Sequence, residues 1–247
     1  MQVKRDFLSY KEYGTGDDVI VCIHGFLSSS HYWDKITPGL VAAGYRVILI
    51  DLLGFGTAAK PRDIDYSYDD QVEHINKIVS NLQFKNMTII GHSMGALVAA
   101  RYAALFPAKV ISLVLLHPPM YTSAKEAKET LLRTSMIYRH LLKSRFRNIT
   151  WVFVRVIAPS LIARHTHYAR ERSLQNVIVK AELFADIEAL KMKTLILVGR
   201  KDRPVYRRNL VNISQPLVKI LLENVGHHSP IWRPMFVQSL ILNFIKP

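Results

Sequence analysis

The sequence predicts an α/β fold: a mostly parallel sheet with helices on both faces and a helical segment inserted late in the chain. Three observations predict it. Apolar runs rich in β-branched residues recur along the first half, as expected of strands buried on both faces. Longer patterns with helical spacing alternate with them, and strand, helix, strand repetition implies parallel pairing. The rhythm then stops for 72 residues, 122–193, before it resumes.

The strands expected in order are Val19–Ile23, Tyr45–Ile50, Met87–Ile90 and Val110–Leu116. Helices are expected between them at His31–Ala43, Tyr68–Leu82 and Met94–Phe106, the last stopped by Pro107. After His117-Pro118-Pro119 no comparable strand occurs until Thr194–Val198. A helix near Val205–Ile213, a strand near Leu217–Leu222 and a final helix near Pro230–Ile245 follow. Residues 1–121 and 194–247 thus form the expected core, and 122–193 the expected helical cap.

The 247 residues are 49% hydrophobic and 21% charged, a composition of folded rather than disordered chains. The single cysteine, Cys22, cannot form an internal disulfide, which suits a reducing cytoplasm. The charged start MQVKRDFLSY has no apolar secretory core, and the longest apolar stretch, Trp151 to Ala163, is interrupted by Arg155 and Pro159. A cytoplasmic protein, with room for peripheral membrane contact, is expected. Residues 1–121 hold 11 basic and 11 acidic side chains and 122–247 hold 22 and 8, so the whole net charge of +14 lies in the second half. Of this, +8 falls on the cap. Such asymmetry suits an anionic membrane surface or an acidic carrier protein; the basic residues are scattered without a nucleic-acid-binding motif, which argues against nucleic acid.

The strongest chemical signal is Gly91-His92-Ser93-Met94-Gly95, entered by an apolar strand and left by an alanine-rich helix. A serine hydroxyl is a poor nucleophile, so it must project from a tight turn where a base reaches it, and flanking glycines remove side chains that would clash. Ser93 fits. An acid and then a histidine should follow. Asp202 stands just beyond the strand Leu195–Val198, where open α/β sheets place their sites, and Arg200, Lys201 and Arg203 would help keep it ionised. The base must come from His227 or His228, since no other histidine follows Asp202. His227 is preferred because it follows Gly226 directly, leaving His228 to the rim or a supporting place. A tetrahedral intermediate needs two backbone donors, and the N–H groups of Met94 and Phe26 are the candidates. His24 reads as a loop-fixing residue and Gly25 as the residue that permits the close turn; Gly25, His92 and His228 are expected near substrate. His165 and His167 lack a nearby third ligand, so no metal is expected.

These motifs together resemble the α/β-hydrolase superfamily, in particular its serine-nucleophile esterase, lipase and C–C hydrolase branch with a helical cap. The resemblance rests on HGF at 24–26, DLLGFG at 51–56, GHSMG at 91–95, Asp202 and GHH at 226–228, and spans nearly the whole chain. The serine argues against the dehalogenase and epoxide-hydrolase branches, whose matching residue is aspartate. The resemblance implies an α/β-hydrolase fold with about seven to eight strands, a site entrance framed by Asp51 and Gly54-Phe55-Gly56, and a cap that selects substrate. It implies hydrolysis of carboxylic esters of small to medium apolar acyl groups through an acyl-serine, without cofactor. Lysophospholipase or monoacylglycerol lipase, thioesterase or carrier-linked ester hydrolase, C–C hydrolase and non-catalytic receptor remain open alternatives. In the cap, Trp151 and Phe153 are expected to face substrate or lipid.

Overall fold

The computed structural model describes residues 9–134 and 163–246. Its centre is a seven-stranded sheet in the order β1-β3-β2-β4-β5-β6-β7. The strands are β1 (Tyr10–Tyr13), β2 (Asp18–Ile23), β3 (Arg46–Ile50), β4 (Asn86–His92), β5 (Ser112–Leu116), β6 (Lys193–Gly199) and β7 (Val218–Glu223). Only β1 runs antiparallel, against β3. The other pairings are parallel and carry their loops to one shared end.

Nearly continuous apolar runs follow from burial on two sides. In β2, Val19, Val21 and Ile23 enter one core cluster while Ile20 and Cys22 enter the other. On the first face pack α2 (Tyr68–Val79) and α3 (Met94–Leu105); on the second, α1 (Thr37–Ala42) and the C-terminal helix. Helix α2 begins at a capping box in which Ser67 and Asp70 satisfy each other's backbone N–H groups. Burial pushes the Cys22 thiol up, so it behaves as a core hydrophobe.

Two long expected helices are broken, each at a proline. The segment 31–43 becomes a 3₁₀ turn, Ser30–Trp33, followed by α1 with Pro38 in its first turn. The last helix divides into Ser229–Trp232 and Pro234–Ile245, because Pro234 lacks an N–H and forces Arg233 off helical geometry at φ −135°, ψ 53°. Likewise 205–213 is a five-residue helix, Pro204–Arg208, and a 3₁₀ turn, Asn209–Asn212.

Between β5 and β6 the described residues form α4 (Ala124–Thr134), α5 (His167–Ser173) running into a π turn at Leu174–Ile178, and α6 (Leu183–Glu188). Trp151 and Phe153 lie outside the described residues. The returning half of this segment is clamped to the loop after β3. His165 forms an antiparallel bridge with Phe55, Tyr168 Oη donates to the Lys60 carbonyl (2.8 Å), and Asn176 Nδ2 donates to that of Asp65 (2.7 Å). Ala163 N–H donates to Leu27 O (2.8 Å), which joins it to the loop after β2. Among the described residues no helix is long and apolar enough to cross a membrane.

A partly buried ionic knot, with Asp186 as its buried member, ties this segment to α3. Arg101 donates from Nε to Asp186 (2.5 Å) and from Nη2 to Glu182 (2.6 Å), with its guanidinium 4.6 Å from the Tyr68 ring centroid. Burial pushes Asp186 up to about 6 even beside that guanidinium. An acid with a raised folded pKa loses stability as pH climbs through that value, and removing Arg101 raises it further. Arg101→Ala should therefore cost about 3 kcal/mol near pH 7.5 and clearly less at pH 5, measured by urea unfolding. An equal penalty at both pH values would show that the buried carboxylate is not its origin.

Candidate active site

The site is assembled at the carboxyl ends of the parallel strands, and its first element is a backbone constraint. Ser93 joins β4 directly to α3 at φ 53°, ψ −121°, a region non-glycine residues rarely occupy. The turn is tolerated because its neighbours lack side chains. A Cβ on Gly91 would strike the backbone of Gly95 and Ala96, and one on Gly95 would strike the carbonyls of Ile23 and His24. Gly25 likewise brings the loop after β2 against the turn: a Cβ there would lie 2.9 Å from His92 Nδ1 and 3.0 Å from Ser93 Cβ.

Ser93, His227 and Asp202 meet in one hydrogen-bonded chain. Ser93 Oγ lies 3.0 Å from His227 Nε2, and His227 Nδ1 lies 2.7 Å from Asp202 Oδ2. Asp202 follows β6 and His227 follows β7, so three strand ends separated by 109 and 25 residues deliver the three groups. The second Asp202 oxygen accepts from Arg203 N–H (2.7 Å). Burial works to raise the Asp202 pKa, but the hydrogen bond and charge of His227 and the Arg203 amide hold it below the usual carboxylate value. The acid therefore stays ionised and fixes Nδ1 as the protonated nitrogen, leaving Nε2 to accept.

Met94 opens α3, so its N–H has no intrahelical acceptor and stands beside Ser93. Phe26 lies in the loop closed by Ser28 N–H donating to Gly25 O (3.2 Å), and its ring meets Phe55 edge-on at 6.0 Å. His24 is a loop fastener: Nδ1 donates to Gly25 O (2.8 Å) and Nε2 accepts from Leu52 N–H (3.0 Å), with burial holding its pKa down. Asp51 fastens the opposite loop, accepting from Ser30 N–H (2.6 Å) and from the Thr57 amide and hydroxyl (both 2.8 Å).

His92 corrects an expectation. Its side chain is buried at 2% exposure beneath the site rather than near substrate, and Nε2–H is shared between the His227 carbonyl (2.8 Å) and Tyr32 Oη (3.0 Å). Tyr32 also reaches His228 Nδ1 (3.3 Å) and stacks on the His92 ring at 4.4 Å. His228 thus joins the scaffold that holds the His227 loop. On the other side His117, at the end of β5 with φ 52°, shares a hydrogen bond with Ser229 Oγ (2.7 Å) and sits 3.6 Å from Asp202 Oδ2. Sequence reasoning missed Tyr32, His117 and Ser229; only His117 carried a signal, as a polar residue ending a buried strand. Among the described residues no group of three metal-ligating side chains occurs.

Burial, reinforced by the neighbouring imidazoles, holds His92 well below 6.5 and lowers His117 to about 3, while partial desolvation and the nearby His227 lower the more exposed His228 to about 4.

A family model described as alpha/beta hydrolase fold matches residues 18–144. An Arabidopsis thaliana protein named "Probable lysophospholipase BODYGUARD 4" is 30% identical over 212 residues, covering 74% of this chain and 50% of that protein. The chain thus spans about half the length of that plant relative. "Uncharacterized hydrolase YugF" of Bacillus subtilis (strain 168) is 28% identical over 258 residues, covering 96% and 93%. The solved esterase EaEST from Exiguobacterium antarcticum superposes with a TM-score of 0.76 over 97% of this chain and 96% of that one; at 19% identity the likeness speaks for the fold alone.

A histidine whose folded pKa is depressed contributes stability that is complete above its unfolded value, near 6.5, and is lost as pH falls toward the folded value. For His117 that window runs from about 6.5 down to about 3. It should steepen acid destabilisation by about 1.4 kcal/mol per pH unit within it. His117→Asn, which tolerates the left-handed backbone, should visibly flatten the fall of unfolding free energy between pH 6 and 4. An unchanged slope would contradict a neutral buried His117.

Proposed function

Because the chain belongs to the α/β-hydrolase fold family, we propose that it is a serine hydrolase that cleaves carboxylic esters of small to medium apolar acyl groups. The observation that carries the reading is the continuous hydrogen-bonded chain Asp202–His227–Ser93 on a strained turn between β4 and α3.

In this mechanism Ser93 Oγ attacks the acyl carbonyl while His227 Nε2 takes its proton. Asp202 holds the imidazole in its tautomer and stabilises the imidazolium. The carbonyl oxygen becomes an oxyanion that receives the N–H groups of Phe26 and Met94, each such donor worth roughly 2.7 to 4 kcal/mol. Collapse breaks the ester C–O bond, His227 returns the proton to the departing alcohol, and an acyl-serine remains. Water then attacks with His227 again as base, releasing the acid and restoring Ser93. The residues of 122–193 serve as the lid that sets acyl length, with Trp151 and Phe153 as candidate contacts.

A second reading within the same chemistry is hydrolysis of a lysophospholipid ester at a lipid surface. It is favoured by the name of the plant relative and by the basic second half of the chain. Cytoplasmic residence with peripheral membrane contact suits both readings.

Assays with p-nitrophenyl esters of graded length should show turnover in the wild type. Ser93→Ala should abolish it together with fluorophosphonate labelling, and Asp202→Asn should lower kcat by about 10⁴-fold. Faster release of fatty acid from lysophosphatidylcholine than from short esters would select the second reading. A folded wild type that neither turns over nor labels would overturn the proposal in favour of a ligand-binding role.

A further inference from the structure

Seven large apolar side chains are exposed among the described residues, and two of them stand three positions apart beside the histidine loop. Trp232 is 70% exposed and Met235 83%. They flank the break that Pro234 imposes between Ser229–Trp232 and Pro234–Ile245. Scattered exposed apolar residues need no explanation, but an indole and a thioether exposed on either side of one helix break, three positions apart in sequence, call for one.

The surroundings of the pair are basic. Lys35 Nζ lies 5.9 Å from the Trp232 ring centroid and donates to the Ile231 carbonyl (3.2 Å), and exposed Arg233 lies between the two apolar residues in sequence. The nearby acid Asp34 is engaged by His31 (2.9 Å). Residues 194–247 as a whole carry eight Lys and Arg against two acids, a net charge suited to an anionic surface. The junction is also joined to the site: Trp232 N–H donates to the His228 carbonyl (3.1 Å), and Tyr32 Oη reaches the His228 ring.

We propose that Trp232 and Met235, with Lys35 and Arg233, form an anchor that docks the chain on an anionic lipid surface. An indole is amphipathic and settles at the headgroup boundary, a flexible thioether adapts to acyl chains, and an ammonium and a guanidinium meet the lipid phosphates. A second copy of the chain fits less well. A stable pair covers about 800 Å² on each partner, and two side chains of about 150–250 Å² each supply well under that. A lipid surface accepts a small apolar knob ringed by cations. The anchor adds to the proposed ester chemistry a place for it to occur, resting on that reading only for the identity of the substrate.

The test is binding without turnover, so its failure and that of the hydrolase reading are separable. Ser93→Ala protein is sedimented with phosphatidylcholine vesicles carrying about 30% phosphatidylglycerol, and Trp232 is followed by quenching from brominated acyl chains. The expected result is binding that weakens as salt rises from about 0.1 to 0.5 M, and Trp232 quenching that Trp232→Phe removes. Trp232→Ser/Met235→Ser should lower partitioning at least about tenfold, and Lys35→Gln/Arg233→Gln should remove most of the preference for anionic over neutral vesicles. In the Ser93 background, the same four substitutions should leave turnover of a soluble short ester unchanged, which controls for folding. Undiminished binding of the Trp232/Met235 variant, absence of binding, or a concentration-dependent dimer lost in that variant would each overturn the anchor.

Discussion

The site depends on one backbone conformation. At Ser93 the chain passes from the end of β4 into α3 within a single residue, and only a left-handed φ allows so abrupt a change of direction. Such a residue costs of order 1–3 kcal/mol, offset by what surrounds it. Ser93 N–H donates to Leu116 O (2.9 Å), so the strand pairing grips the turn from one side, while Gly91, Gly95 and Gly25 let helix, strand and loop close on it from the others. The same turn lifts Oγ above the sheet and leaves the first amide of α3 beside it. In the proposed reaction, the position of the nucleophile and one of the oxyanion donors are thus two consequences of one geometric fact.

Around that turn the protein spends burial on keeping imidazoles neutral. His227 bonds with both Asp202 and Ser93, whereas His92 and His117 are pushed by burial toward the uncharged state. Neutral supports can grip the His227 loop without repelling the imidazolium that forms on His227 during the proposed reaction. The grip is directional, since His92 takes the His227 carbonyl while Tyr32 spans His92 and His228. Arg101 ties the inserted segment in by charge instead, joining α6 to the helix that begins beside Ser93.

What was legible in the sequence, and what was not, follows from range. Strands buried on both faces write themselves as apolar runs, so the expected positions of β2 to β7 lie within a few residues of those observed. The Gly-His-Ser-Met-Gly turn is local and equally plain. Helices that meet prolines were less so: Pro38 and Pro234 each divide what the apolar periodicity reads as continuous, because the pattern continues across a break in the hydrogen-bond ladder. Tyr32 was illegible, since nothing near position 32 announces that its hydroxyl will meet residues 92 and 228. His92 stands beside the serine in sequence, but as the last residue of β4 it is buried against Tyr32 and the His227 carbonyl, partners that no local pattern announces.

In the proposed reaction the preformed turn presents Ser93 Oγ and the Met94 amide, and the loop after β2 brings the Phe26 amide to the same oxyanion. A crystal structure of the chain after reaction with a small alkyl fluorophosphonate tests it most directly. The account predicts phosphorus bonded to Ser93 Oγ, with the phosphoryl oxygen about 2.7–3.1 Å from the N–H groups of Phe26 and Met94. An adduct on another residue, or one on Ser93 whose phosphoryl oxygen turns away from those two amides, would contradict it.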